Sequence, residues 1–249
     1  MIERLRQIQV RFNKASKSYD DVACVQRDAA GFLVNKLLEH QDFMPRTVLD
    51  VGTGTGYIPE LLLEKFPKSS FYLNDIALEM LEVCKAKFAK TQNIYYLPGD
   101  MLRLDADFYD CVISNLALQW STDLHYAIHF LHSKSSHIFA FSTLLEGTFA
   151  EWSNIISGYQ STQLLNYPKA EELIGLCHKL KRNGQNFEYW LMDCPLSFEN
   201  PVSFMRYLRS LGASAPGNLV HLSNLKKLIK AEAQSLTVTY KIFFGMFRG

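Results

Sequence analysis

The chain has 249 residues, 48% of them apolar and 20% charged, so it carries enough apolar material for one sizeable core and is not expected to be disordered. A formal net charge of +1 excludes the broad basic field that nonspecific nucleic-acid or membrane binding needs, and any acidic partner has to be met by a local patch. The opening MIERLRQIQVRFNK has no apolar h-region and no later run is long and apolar enough to span a bilayer, which makes a soluble, cytoplasmic protein the expectation.

Residues 1–40 predict a helical cover: apolar positions at Val22, Val25, Ala29, Phe32, Leu33 and Leu37 keep helical spacing after a polar stretch around 13–18. TVLDV then reads as a strand, followed by a glycine cluster and a helix through Ile58, Leu61, Leu62, Lys65 and Phe66 that Pro67 closes. The alternation continues with SFYLND and a helix over 77–90, with IYYLPGD, with FYDCVISN and a helix containing Leu124, Ala127, Ile128 and Leu131, and with the strand HIFAFST. Strands and helices alternating at this spacing imply a mainly parallel α/β sheet with right-handed crossovers in one domain, 1–249. Beyond Thr143, helical stretches over 149–159 and 169–181 predict a lid within 144–185. EYWLMD, helices over 201–211 and 223–233, and LTVTYKIFFGMF complete the chain, the two strands pairing antiparallel at the sheet edge. Cys24, Cys84, Cys111, Cys177 and Cys194, widely spaced and odd in number, read as buried free thiols.

VLDVGTGTG places Gly52, Gly54 and Gly56 directly after a buried strand and before a helix, where the backbone must turn tightly and let a ligand approach. A dinucleotide fingerprint wants a third glycine where this chain has Tyr57, and Asp50 would sit poorly beside a pyrophosphate. A sulfonium cofactor with an α-amino group fits better. Asp75, preceded by Asn74, ends the second strand 19 positions beyond Gly56, where a carboxylate can accept both hydroxyls of a ribose. Asp100 ends the third strand beside Met101 and is placed either to accept from an adenine amino group or to cap a turn. Asn115 ends the fourth strand, so four strand ends converge on one pocket.

Together, VLDVGTGTG, LND, GD and SNLALQW resemble the class I S-adenosylmethionine-dependent methyltransferases over roughly 47–143. SNLALQW, FSTLLEGTFAEW and FMRYLRSLGAS, with FNKASKSYDDVACVQRDAA near the start, resemble more narrowly the malonyl-acyl-carrier-protein O-methyltransferases of biotin synthesis, over nearly the whole chain. The resemblance implies a Rossmann-like, mainly parallel seven-stranded sheet with an antiparallel last strand and a helical lid. It also implies methyl transfer from S-adenosyl-L-methionine to the free carboxylate of a malonyl group on acyl carrier protein or coenzyme A, with neither nucleic acid nor membrane as partner. By the same resemblance Asp50, Gly52, Gly54, Asp75, Asp100 and Asn115 match the cofactor motif, with Thr53, Gly56, Asn74 and Met101 beside them, and Tyr19 matches a cover tyrosine near the methyl group. The chain departs from many relatives in having Gly52-Thr53-Gly54-Thr55 for a Cys-Gly-Pro-Gly type of loop and Ser133-Lys134-Ser135-Ser136 for a Pro-Gly turn. Two other readings stay open: a methyltransferase for another small carboxylate or hydroxyl, and a cofactor-binding module without catalysis.

On the acceptor side, Gln119 and Trp120 are candidates to line an acyl channel, Trp120 equally a core residue. Arg206 and Arg209, three apart on one helical face, are candidates to hold the malonyl carboxylate, Arg206 foremost. His125, His129 and His132 share a helical face but lack a companion carboxylate, and they read as a histidine-rich surface with no metal. Lys179, Lys181 and Arg182 form one basic cluster and Lys226, Lys227 and Lys230 another, either of them a solvated face or a dock for an acidic carrier.

Overall fold

The computed structural model describes residues 2–40, 43–105, 107–157, 166–213 and 235–249, and in it the apolar runs become strands of a single sheet. Parallel strands β1 (Thr47–Val51), β2 (Ser70–Asp75), β3 (Ile94–Pro98), β4 (Tyr109–Ser114) and β5 (Ser135–Leu144) are followed by β6 (Asn186–Phe198) and β7 (Leu236–Arg248), in the order β3-β2-β1-β4-β5-β7-β6. The last strand slots antiparallel between β5 and β6, which gives the expected seven-stranded class I arrangement. The inner stretches 111–113 of β4 and 138–141 of β5 are continuous apolar runs because helices cover both their faces, whereas β6 alternates half-buried and exposed positions as an edge strand does.

Alternation along each strand sorts side chains to two faces. Val48, Phe71, Ile113 and Phe244 meet α3 (Cys24–Leu38), α4 (Tyr57–Leu63) and α5 (Leu78–Lys87) through Leu33, Leu37, Leu62 and Leu81. Leu49, Val112, Phe139 and Phe243 meet α6 (Leu124–Lys134) and α8 (Ala170–Leu180) through Ile128, Leu131, Leu173 and Cys177. Helix α8 is therefore a layer of the sandwich, while α7 (Ala150–Ser157) packs its Trp152 on Phe204 of α9 (Pro201–Ser210), so the two helices expected to share a lid part company. Ahead of the sheet, α1 (Ile2–Ala15), α2 (Tyr19–Val22) and α3 form the helical cover. No described helix is long and apolar enough to cross a membrane.

Several local expectations are corrected. Strand β5 starts at Ser135 rather than His137, because α6 runs straight into it and no turn intervenes. The guanidinium of Arg182 replaces the Pro-Gly turn, donating to the carbonyls of Ser135 at 2.9 Å and His132 at 2.6 Å, and Ser135 Oγ donates to His132 O at 2.8 Å. Arg182 is still exposed beside Lys179 and Lys181, but its guanidinium is committed to these two carbonyls. Leu61 faces solvent on α4, and Cys24 is exposed where the other four thiols are buried or half-buried. The helix expected over 223–233 and Lys226, Lys227 and Lys230 lie outside the described residues.

Candidate active site

Strand order reverses between β1 and β4, and the loops after β1, β2, β3 and β4 open there onto a cavity of about 690 Å³. Gly52 adopts φ +68°, and a Cβ on it would lie 2.3 Å from Ala117 Cβ, so only glycine fits where the first loop meets the fourth. The loop is pinned by Thr53 N–H donating to Asn74 O at 2.9 Å and Gly54 N–H donating to Asp75 Oδ2 at 2.9 Å. The second oxygen of Asp75 accepts from Ala77 N–H at 2.8 Å, and the carboxylate held in this way lines the cavity. Asn74 also lines the cavity, but its amide is committed to Leu97 O at 2.8 Å and Gly99 O at 3.1 Å. Asp100 caps the turn after β3, accepting Leu102 N–H at 3.0 Å, and lines the cavity beside Met101. Asn115 lines the inner wall, accepts from Ser142 Oγ at 2.8 Å and donates to Gln26 O at 2.8 Å, tying the end of β4 to α3.

Asp50 lies beneath the glycine loop rather than in the cavity wall, buried, with neither oxygen hydrogen-bonded. Burial pushes its carboxyl up to about 7, against a smaller opposing pull from the Thr53 hydroxyl. Asp75 is pushed up to about 6, also by burial, with its backbone donors acting in the other direction. Gly56 does not reach the cavity. Its φ of +86° starts α4, and a Cβ there would meet Phe88 Cε2 at 2.7 Å, so it is a packing glycine and not a cofactor contact. Tyr57, which occupies the dinucleotide glycine position, clamps the cover instead: its hydroxyl donates to Asp20 Oδ1 at 2.7 Å and Thr55 Oγ1 donates to the same oxygen at 2.5 Å. Those bonds seat α2 on the loop, with Tyr19 between two cavities.

The second cavity, about 480 Å³, shares Phe12, Tyr19, Leu116 and Trp120 with the first. Gln119 lines it and Trp120 stands in the shared wall, edge-on to Phe12 at 5.4 Å. Its remaining polar lining is Gln26, Tyr167 and Tyr240, with no cation, carboxylate or imidazole among the described lining residues. Leu116 at φ +46° and Phe149 at φ +59°, the non-glycine residues with left-handed backbone among the described residues, both line it, a concentration of strain typical of functional sites. Orphaned buried polar atoms also gather here: Gln26 Oε1 and Gln119 Oε1 around the second cavity, Asp50, Thr53 Oγ1 and Ser121 Oγ around the first.

Other expected residues lie elsewhere. Arg206 and Arg209 are exposed on α9, whose Leu208 and neighbouring Leu211 face the second cavity, so neither arginine lines that cavity. Helical spacing put both on one face, and that face is the solvent one. His132 is buried against Phe247 and bonded to Gln185 at 2.9 Å, His125 pairs with Glu172 at 3.0 Å, and only His125 and His129 are exposed, so the histidine face is surface in part. No metal-holding group of side chains occurs among the described residues. Tyr167, Tyr240, Phe12 and Gln26 escaped the sequence reading, since no local pattern marks residues that meet only after β7 enters the sheet.

The family model for a methyltransferase domain matches residues 48–133. A magnesium protoporphyrin IX methyltransferase from Synechocystis PCC 6803, solved with bound SAH, superposes with a TM-score of 0.60 over 92% of this chain and 86% of its own, at 15% identity. The YcgJ protein from Bacillus subtilis gives 0.61 over 88% and 98%, at 13% identity. Fold and glycine loop together define a class I S-adenosylmethionine-dependent methyltransferase. Malonyl-[acyl-carrier protein] O-methyltransferases are similar along most of the chain: one from Bacillus cytotoxicus is 35% identical over 83% of this chain and 75% of its own length. One from Marinomonas sp. is 32% identical over 84% and 77%, and one from Neorickettsia risticii 29% identical over 96% and 94%. The chain belongs to the malonyl-[acyl-carrier protein] O-methyltransferase family.

Proposed function

We propose that the chain methylates the free carboxylate of a malonyl thioester carried on acyl carrier protein, an oxygen nucleophile that arrives already deprotonated. The observation that carries this reading is the second cavity: its described lining offers no aspartate, glutamate, histidine or lysine to act as a base, so an alcohol acceptor would keep its proton. A carboxylate needs no base. S-adenosylmethionine fits the first cavity by its donor set, because carboxylates at Asp75 and Asp100 suit ribose and adenine, and the unpaired carboxylate of Asp50 beneath the loop suits a nearby ammonium. When bound, that cofactor supplies an electrophilic methyl group on a positively charged sulfur.

The residues then have to align and desolvate. Leu116 and Trp120 form an apolar septum, and Tyr19, held over the glycine loop by its neighbour Asp20, aims its phenol at the passage between the cavities. Transfer to a carboxylate oxygen would break the methyl–sulfur bond, leave its electron pair on sulfur and move no proton, so the residues lining the two cavities would have to align the acceptor and exclude water without acting as a base. Positioning of this kind is worth up to ~7–11 kcal/mol of barrier. Burial holds the Tyr19 phenol far above its ordinary titration range, so it remains a neutral donor throughout the working pH.

The test is a panel of acceptors offered with labelled S-adenosylmethionine: malonyl-carrier protein, malonyl-coenzyme A, free malonate and a hydroxyacyl thioester. Label should enter the malonyl thioesters as an ester, fastest on the carrier protein. Transfer to the hydroxyacyl thioester alone would reject the reading.

A further inference from the structure

Around the acceptor cavity, four phenols converge from separate parts of the chain: Tyr19 from the cover, Tyr167 from the segment before α8, Tyr207 from α9 and Tyr240 from β7. Tyr207 and Tyr240 share one hydrogen bond at 3.1 Å, which consumes one of their two protons and leaves the other to donate. No hydrogen bond joins the Tyr167 or Tyr19 hydroxyl to another described residue. Three phenol protons thus remain available in a compartment whose described lining carries no formal charge.

Resting on the carboxylate reading above, we infer that the malonyl carboxylate is anchored by Tyr167 and the Tyr207–Tyr240 pair, through neutral hydroxyl donors and not through a guanidinium. The reaction annihilates charge, turning a carboxylate and a sulfonium into a neutral ester and a neutral thioether. An arginine facing the carboxylate would stabilise the full charge of the ground state more than the reduced charge of the transition state, and would be left buried without a counter-ion by the product. Phenols replace the water that the anion loses, keep it reactive and strand no charge when the ester forms. Burial raises the titration of all three well above the ordinary tyrosine range, with Tyr240 raised further by its neighbours Tyr207 and Tyr167, so none competes as an anion. Gln119 Oε1, a buried acceptor without a donor whose amide nitrogen is committed to Leu116 O, fits an amide N–H of a thioester-bearing arm, while Gln26 lies against the Tyr240 phenol and belongs to the tyrosine end.

Tyr240→Phe, Tyr167→Phe and Arg206→Met would each be assayed with malonyl-carrier protein, and binding of malonyl-coenzyme A and of butyryl-coenzyme A, which lacks the carboxylate, would be measured beside it. Each phenylalanine variant should lose about 10- to 100-fold in kcat/KM, the usual scale for one hydrogen bond to a charged group. The preference for malonyl over butyryl thioester should shrink by the same factor, with cofactor affinity unchanged and Arg206→Met fully active. A merely structural role would weaken both thioesters alike. An unchanged malonyl-to-butyryl ratio in both phenylalanine variants, or loss of that ratio in Arg206→Met alone, overturns the inference while leaving carboxyl methylation standing. A wild-type protein that methylates no malonyl thioester overturns both.

Discussion

Asp50 carries the clearest chemical signature at the residue scale, a buried carboxyl with no donor and a pKa raised to about 7, beside Asp75 raised to about 6. Both folded values lie above the ordinary carboxyl value of 3.8, so the cofactor-free protein holds protons that the unfolded chain releases. Their contribution to stability is full below about pH 4 and is lost as pH rises through 6 and then 7. An ammonium brought beside Asp50 reverses the burial penalty and expels the proton. Calorimetry of S-adenosylmethionine binding at about pH 6.5, in buffers of different ionisation heat, should therefore show release of up to one proton, fading by about pH 8.5. Asp50→Asn should abolish the release and raise the melting temperature of the cofactor-free protein at about pH 8, since it removes an uncompensated buried charge. Heats independent of the buffer would show that Asp50 does not meet the cofactor.

Residues of this kind were legible because a strand end, a glycine triplet and an acidic partner lie close in sequence and keep the spacing their ligand imposes. The direction in which Arg206 faces was not legible for the converse reason: a spacing of three fixes that two side chains share a helical face, but not which way the face looks. The amphipathic pattern of α9 turned Phe204 and Leu208 inward and sent the arginines out. The phenols of Tyr167 and Tyr240 become neighbours only through the long-range pairing of β7 with β5, which no local window contains.

At the scale of elements, α1 is the part whose job depends least on the core. Only Ile8 is well buried toward its middle, yet Leu5, Ile8 and Phe12 wall the cofactor cavity. Its seat is fixed by polar bonds, Gln9 Nε2 donating to Ile76 O at 2.8 Å and Asn13 Oδ1 accepting from Glu79 N–H at 3.1 Å. This is why apolar periodicity pointed to α3, with Leu33 and Leu37 in the core, and passed over α1. Removing residues 1–14 should leave the far-UV circular dichroism of the sheet layers in place while weakening S-adenosylmethionine binding at least ~10-fold, about 1.4 kcal/mol. Unchanged affinity in the truncated protein would mean that the cavity wall belongs to the strand loops alone. Helices α7 and α8 teach the same lesson from the other side: both are amphipathic, and the pattern does not say whether the apolar stripe meets a sheet or a neighbouring helix.

Across the whole molecule, two cavities meet at one septum at the carboxyl ends of parallel strands, one lined by the carboxylates of Asp75 and Asp100, the other with no charged side chain among its described lining residues. The near-neutral chain has no global field to attract a carrier protein, so an acidic partner has to be met by a local patch. The most direct measurement of the account is the intact mass of malonyl-acyl carrier protein after incubation with the enzyme and S-adenosylmethionine, followed by treatment with a mild esterase. The account predicts a gain of one methyl group that the esterase removes, on the malonyl form and not on the acetyl form. No gain on the malonyl form, or a methyl group that resists the esterase, would contradict it.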